Sequence, residues 1–380
     1  MRKILDKVFI SKCSDYEIEN LTKLIGEQFS ALGVCEEIKE GMTVVVKPNL
    51  IMRSKPSEAI ITHPAVMAAV GINVKKIGAE VLIAESPGGT YSPAIMRNVY
   101  NGCGYTEIAE KYGFKLYTEC KSREVSLPQA KRCKNMTVIE PYLNADYIID
   151  IAKMKTHSMT GFSGAVKNLF GVVPGLMKPE LHCRFPEKTQ FAEMLVDLCE
   201  FVKPNLSVID AVYGMEGDGP TGGESRFVGA VLSSKSPYAA DVAALNIIGI
   251  KPEEIPMISD AVSRGVCPKS IDEIELLGDG AGEIHIADYK RAKTGNVDFI
   301  ARLPKFMRST VQKLVTPVPK IKTKECIGCG KCAESCPQKV IDMTDRKAVI
   351  RYNDCIRCFC CHEMCPEHII DIKRRKLFNF

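Results

Sequence analysis

The chain has 380 residues, 46% of them hydrophobic and 26% charged, enough to bury a full α/β core and to form two or three domains. That balance excludes general disorder, and a formal net charge of +5 is too small to argue for a nucleic-acid binder. No apolar run is long enough to span a bilayer: even Val138 to Ala152 is broken by Glu140, Asn144, Asp146 and Asp150.

The first segment, Met1 to Cys13, lacks the uninterrupted apolar stretch and small-residue cleavage site of a secretory signal, so the cytoplasm is the expected location. Apolar runs of strand length then alternate with helical patterns. Met42 to Val46, Val81 to Ala84, Tyr147 to Ile151, Leu206 to Ile209 and Val228 to Leu232 have strand length. Pro64 to Gly78, Thr189 to Val202 and Pro237 to Ile248 have helical length. Thr62-His63-Pro64 has the form of a helix start, with proline at the first helical position. Asp241 fits a supporting role in an early helix turn. The alternation implies an α/β fold: a mainly parallel sheet with helices on both faces.

Ligands of such sheets sit beyond the carboxyl ends of the strands, so the residues following each apolar run carry the functional weight. Lys47-Pro48-Asn49 follows the first run and Glu85 to Thr90, with Gly88 and Gly89, follows the second. Lys153-Met154-Lys155-Thr156-His157 follows the third, and Lys167-Asn168 comes shortly after. Asp210 ends the fourth, ahead of a glycine-rich stretch from Gly214 to Gly223. A lysine at one strand end is ordinarily just solvated, but cations and glycine turns recurring at several ends point to an anion as the guest. The expected binding set is Lys47, Asn49, Gly88, Gly89, Lys153, Lys167, Asn168 and Asp210, with Lys155, His157 and His182 as the expected catalytic groups. Asp210, Glu216 and Asp218 offer oxygens to a divalent cation, although glycine-rich turns also use acidic residues to fix backbone. Gly217 to Gly222 fits G-x-G-x-x-G literally, but Pro220 lies inside it and a strand pattern follows, so it is not a dinucleotide fingerprint.

Residues 1–300 are therefore read as one α/β domain and 301–321 as a basic linker. Between Ala301 and Lys324 stand Pro304, Pro317 and Pro319 and seven basic residues with no acidic one. A helix from Lys305 to Val315 would carry an apolar face suited to the protein's own core or to a membrane surface.

Residues 322–380 form the last unit. Nine of the seventeen cysteines fall between Cys326 and Cys365. Cys326, Cys329, Cys332 and Cys336 follow a C-x2-C-x2-C-x3-C-P pattern, and Cys355, Cys358, Cys361 and Cys365 repeat it. Three cysteines two residues apart wrap one face of an iron–sulfur cube, and in the bacterial two-cluster arrangement the fourth ligates the other cube. One cluster then takes Cys326, Cys329, Cys332 and Cys365, and the other takes Cys355, Cys358, Cys361 and Cys336. A zinc ribbon is the alternative, but it does not explain a three-plus-one run occurring twice with proline after the fourth cysteine. Cys360 is left over as a thiol beside the ligands. In a reducing compartment such a cysteine set reads as metal or redox chemistry, not as disulfides.

The tail, with Cys-Ile-Gly-Cys-Gly-Lys-Cys at 326–332, resembles a bacterial two-cluster ferredoxin, which implies a small α+β domain, two 4Fe-4S clusters and single-electron transfer. Val-Val-Val-Lys-Pro-Asn (44–49), Thr-His-Pro (62–64), Glu-Ser-Pro-Gly-Gly (85–89), Lys-Met-Lys-Thr-His (153–157), Gly-Ala-Val-Lys-Asn-Leu-Phe-Gly (164–171) and residues 209–220 together resemble the domain of unknown function family 362. That family is commonly fused to a C-terminal ferredoxin module, and the resemblance brings no established reaction. Fusion holds an electron donor near an acceptor. The expected function is thus an oxidoreductase passing electrons from two clusters to an anionic small molecule, with a redox partner protein and without nucleic acid. The alternative is a non-catalytic electron carrier whose large domain docks or regulates a partner enzyme.

Overall fold

Branched residues in adjacent positions give the central strands two apolar faces, and the chain buries both. In the computed structural model, which describes residues 5–292 and 317–373, Val44, Val45 and Val46 of β2 (Thr43–Pro48) are fully buried yet belong to two cores. Val44 and Val46 share a core with residues of the helices Ile18–Ala31 and Pro64–Lys76. Val45 shares the other with residues of Lys188–Val202 and Pro237–Ile247. β7 (Tyr147–His157) repeats this, with Ile149 and Ile151 on one side and Ile148 and Ala152 on the other. A strand covered on both faces has no polar alternation, which is why these runs read as continuous apolar blocks.

The main sheet also contains β1 (Asp6–Lys12), β3 (Glu80–Ile83), β4 (Lys115–Leu116), β8 (Gly161–Ser163), β9 (Leu206–Glu216), β10 (Glu224–Ser234) and β11 (Ile274–Leu277). The order is β11-β1-β10-β9-β7-β2-β3-β4, with β8 paired to β7, while β5 (Ser122–Ser126) and β6 (Asn135–Ile139) pair antiparallel with each other outside it. β9, β7, β2, β3 and β4 run parallel; β10 lies antiparallel between β9 and β1. The expected α/β class is therefore observed, with an inserted antiparallel strand, β10, that the apolar runs do not announce. The chain builds outward from β2 through β3 to β4, then returns to place β7 on the other side of β2. The carboxyl ends of β2 and β7 thus flank the point where strand order reverses, the usual ligand crevice of such sheets.

In the C-terminal unit, β12 (Val318–Ile321) pairs with β15 (Ile370–Lys373), and β13 (Ile341–Thr344) forms a hairpin with β14 (Lys347–Ile350). Asp345 and Arg346 at its tip both have positive φ, as a two-residue hairpin turn requires. Residues 318–321, assigned to the linker from composition, are a strand of this unit because they complete the pairing of β15. The helix expected from Lys305 to Val315 lies outside the described residues.

Asp241 supports a helix other than its own. Its buried carboxylate accepts from the backbone N–H of Ala165 (2.6 Å) and Val166 (3.1 Å), fixing the segment that carries Lys167 and Asn168. Asp241→Ala strands two buried donors, and we expect a loss of roughly 2–4 kcal/mol, read as a lower urea midpoint with unchanged slope. A midpoint equal to that of the wild type would show that this bridge does not hold the segment.

Candidate functional site

Of the lysines at the strand ends, three are fully buried and already matched. Lys47 Nζ lies 2.5 Å from Glu85 Oε2, Lys153 Nζ donates to Asp210 Oδ2 (3.0 Å) and to the Tyr16 hydroxyl (2.8 Å), and Lys155 Nζ donates to Asn49 Oδ1 (2.5 Å) and the Ile60 carbonyl (2.7 Å). A buried charge without such partners would be too costly to keep. Burial raises the Glu85 carboxyl despite Lys47, and lowers the Lys155 ammonium. Lys167 differs: it makes no hydrogen bond or ion pair among the described residues, and its side chain borders an open cavity.

Asn49 and Asn168 are joined, Nδ2 of the first donating to Oδ1 of the second at 2.9 Å, and Asn168 Nδ2 donates to Asp150 Oδ1 at 2.8 Å. Asp150 is buried mid-strand with Oδ2 unpartnered, and burial raises its carboxyl far above the usual range. Asp210 is committed to Lys153, to Tyr16 and to the His63 backbone N–H, while Glu216 faces Lys290 (3.3 Å). Among the described residues no three Cys, His, Asp or Glu side chains are grouped for a single metal ion, so the acidic trio is not gathered around a divalent cation.

The glycine turns seat the C-terminal unit. A Cβ on Gly88 would fall 2.4 Å from Met364 Sδ, and one on Gly222 would fall 2.5 Å from His362 Cε1. Gly89, beside the first, has φ +86°. Around these contacts His362 Nε2 lies 3.1 Å from the Asp218 carbonyl, Thr90 Oγ1 donates to Glu334 (2.8 Å), and Gln338 Nε2 donates to Cys183 Sγ (3.2 Å). His157 completes the seam, with Nε2 3.3 Å from Glu363 Oε1. Its Nδ1 accepts from the backbone N–H of Met159 and of Thr160, so that lone pair is occupied. Burial brings the His157 imidazole down to about 3, leaving it neutral with its proton on Nε2. Burial opposes the Glu363 charge, but His157 and Lys167 hold that carboxyl down at about 2.

Between the two units lies a partly open cleft. The sheet domain contributes Lys167, Lys178 and His182; the C-terminal unit contributes Cys360, Glu363 and Met364. Among the described residues, three buried polar atoms at this corner lack a hydrogen-bond partner: His182 Nδ1, and His157 Nε2 and Glu363 Oε1, which are close but poorly aligned. Buried polar atoms of this kind pair with water or with a polar ligand. His182 stacks on Phe191 (4.2 Å, 15°), and burial lowers it to about 4, so it too is neutral. Lys178 donates to the Ser86 and Pro87 carbonyls; burial lowers its ammonium to about 7 against the pull of Glu85. Lys178 and Glu363 were missed in the sequence because neither follows a strand, and Glu363 reaches the site only through docking.

A second, smaller cavity is bordered by four cysteines: Cys336, Cys355, Cys358 and Cys361. One half of the duplication thus contributes three sulfurs and the other half one. Burial and the neighbouring Cys365, Cys329 and Cys326 raise the Cys332 thiol to about 11, so these four also share one locality. The donor set fits two clusters whose fourth ligands cross over.

The description "Domain of unknown function (DUF362)" matches residues 44–246, and a 4Fe-4S dicluster domain matches residues 318–366. A thylakoid-associated protein of Synechocystis sp. is 27% identical over 310 residues, covering 81% of this chain and 94% of that protein. Among solved structures, the lactate racemase apoprotein of Thermoanaerobacterium thermosaccharolyticum is similar with a TM-score of 0.40 at 15% identity, over 63% of this chain. A Thermotoga maritima protein gives 0.36 at 12% identity over 60%. The match spans just over half of each solved chain, 56% and 57%. With half its length matched by that model and its cysteine tail matched by the other, the chain belongs to the domain of unknown function family 362, joined to a 4Fe-4S ferredoxin-type domain that supports iron–sulfur electron transfer.

Proposed function

We propose that this protein is an oxidoreductase in which two 4Fe-4S clusters serve a small anionic substrate held in the cavity between its two units. Cys326, Cys329, Cys332 and Cys365 hold one cluster, and Cys355, Cys358, Cys361 and Cys336 the other. Bound there, the clusters supply single electrons at low potential. One observation carries the reading: Cys358 and Cys361 border the cluster cradle while Cys360, between them in sequence, borders the large cavity, so a single loop separates the two spaces. A recessed cleft lined by both units suits a substrate better than the flat surface expected of a purely docking domain.

The residues divide the work. Lys167 supplies the unmatched positive charge for the anion, and His182 Nδ1 is the atom placed to exchange a proton with it. Lys47, Lys153 and Lys155 shape the edge through their partners; Lys155 holds Asn49, which borders the cavity. His157 acts as a strut between the units. Asp210 fixes Lys153 and the start of the helix Pro64–Lys76. A separate redox protein recharges the clusters at the loop carrying Cys329 and Ile327, which is 58% exposed. The protein works in a reducing compartment, the cytoplasm, consistent with seventeen unpaired cysteines. Among the described residues no helix is long and apolar enough to cross a membrane.

Anaerobically reduced protein offered a panel of small carboxylates and phosphates is expected to reoxidise faster with at least one of them. Lys167→Met and His182→Phe should each raise the concentration needed for half-maximal effect roughly tenfold to a hundredfold, as loss of a hydrogen bond to a charge implies. Reoxidation indifferent to every anion, or equal in the variants, contradicts the assignment. The pH dependence has a definite sign. The Lys178 ammonium is charged below about 7 and neutral above it, so anion affinity should fall as pH rises through that value, and Lys178→Gln should flatten the profile. Cross-ligation is checked by electron paramagnetic resonance: Cys336→Ser and Cys355→Ser should alter the same cluster signal, and Cys365→Ser and Cys329→Ser the other. Pairing by sequence half would refute it.

A further inference from the structure

The turn at 85–90 has the glycines of a phosphate cradle, but its backbone donors point into the protein. Ser86 N donates to the Gly171 carbonyl (3.0 Å) and to Glu85 Oε1 (2.9 Å), and Gly88 N donates to the Ile51 carbonyl (2.9 Å). Opposite the turn, Gly175 N donates to Ser86 Oγ (2.8 Å), and the Lys178 ammonium is turned onto the Ser86 and Pro87 carbonyls. Other polar groups lining the cleft are committed as well: Asn49 to Asn168 and Lys155, Glu85 to Lys47, and Ser335 to the Cys332 carbonyl (3.3 Å). Glu363 faces His157. Lys167, and His182 with Nδ1 unpartnered and the residue only 4% exposed, are left for an anion. The same cleft has an apolar lining, supplied by Ile51, Pro87, Phe170 and Pro179 from the sheet domain and by Met364 from the other unit.

A phosphate ester presents three free oxygens and is held in proteins by a nest of backbone N–H groups. A carboxylate has two oxygens, and two groups here match it. A purely polar ligand would also leave the apolar lining wet, whereas a hydrocarbon portion covers it favourably. We infer that the substrate is a monocarboxylate with an apolar body, one carboxylate oxygen on Lys167 Nζ, the other facing His182 Nδ1, and the hydrocarbon against Ile51, Phe170 and Met364. This rests on the cleft reading above and narrows it from small anions in general. Inorganic phosphate meets Lys167 without covering the apolar lining, and so serves as a weaker probe of the same place.

The test is calorimetry on the full-length, cluster-loaded protein under exclusion of air, with acetate, propanoate, butanoate and pentanoate as one series and butyl phosphate as the comparison. Affinity should rise along the series by about fourfold for each added CH2 group, the factor expected for burying a methylene. Butyl phosphate, with the same four-carbon tail as pentanoate, should bind about tenfold more weakly because its third oxygen finds no donor. Ile51→Ser should weaken pentanoate more than acetate; equal losses would place the tail elsewhere and overturn the inference. If Ile51→Ser does not fold, the wild-type series decides alone. Affinity that is flat or falling with chain length, or butyl phosphate bound more tightly than pentanoate, overturns the inference and leaves the cleft reading intact. Absence of binding by every acid and by both butyl and inorganic phosphate overturns both.

Discussion

The site depends on how closely the cysteine-rich unit approaches the carboxyl edge of the sheet, and two glycines set that distance. With any side chain at Gly88 or Gly222, Met364 or His362 would have to move, because the built Cβ atoms fall within 2.5 Å of them. At Gly88 the displaced group is the flexible end of Met364, whereas at Gly222 it is the His362 ring, held between the Ile370 and Asp218 carbonyls, so Gly222 is the stricter limit on the loop between Cys358 and Cys365. Glycine here gives room for a neighbouring unit, as it elsewhere gives room for a phosphate.

A second constraint is the cost of buried charge. The crevice between β2 and β7 gathers Lys47, Lys153, Lys155 and Lys167, and a sheet edge cannot bury four ammonium groups unmatched. The chain supplies Glu85, Asp210 and a pair of oxygen acceptors for three of them, and those three become part of the framework. The fourth, Lys167, borders the cavity without a hydrogen bond or ion pair among the described residues, which is why the proposed function gives it the anion. Neutral His157 follows the same logic, since backbone donors to its Nδ1 fix which nitrogen turns toward the other unit.

Much of this was legible in the sequence. Branched runs placed the parallel strands, the strand-end motifs pointed to the crevice, and cysteine spacing identified an iron–sulfur domain, because each is a local pattern tied to a local geometry. The antiparallel insertion of β10 between β1 and β9 was not, since pairing between distant strands leaves no periodic trace in either. Nor could spacing tell a matched lysine from a free one: Lys153 and Lys167 look alike until Asp210 and Tyr16 are seen beside the first. Gly88 and Gly89, read as part of an anion turn, border the cavity, and only the docked unit shows that Gly88 also faces Met364.

The most direct measurement is pulsed hyperfine spectroscopy of the reduced, cluster-loaded protein with phosphate bound, looking for coupling between the phosphorus nucleus and each cluster. Phosphorus coupled to the cluster of Cys336, Cys355, Cys358 and Cys361, and not to the other, is the result expected of a cavity walled by that loop. Coupling to the other cluster, or to neither while phosphate is bound, would contradict it.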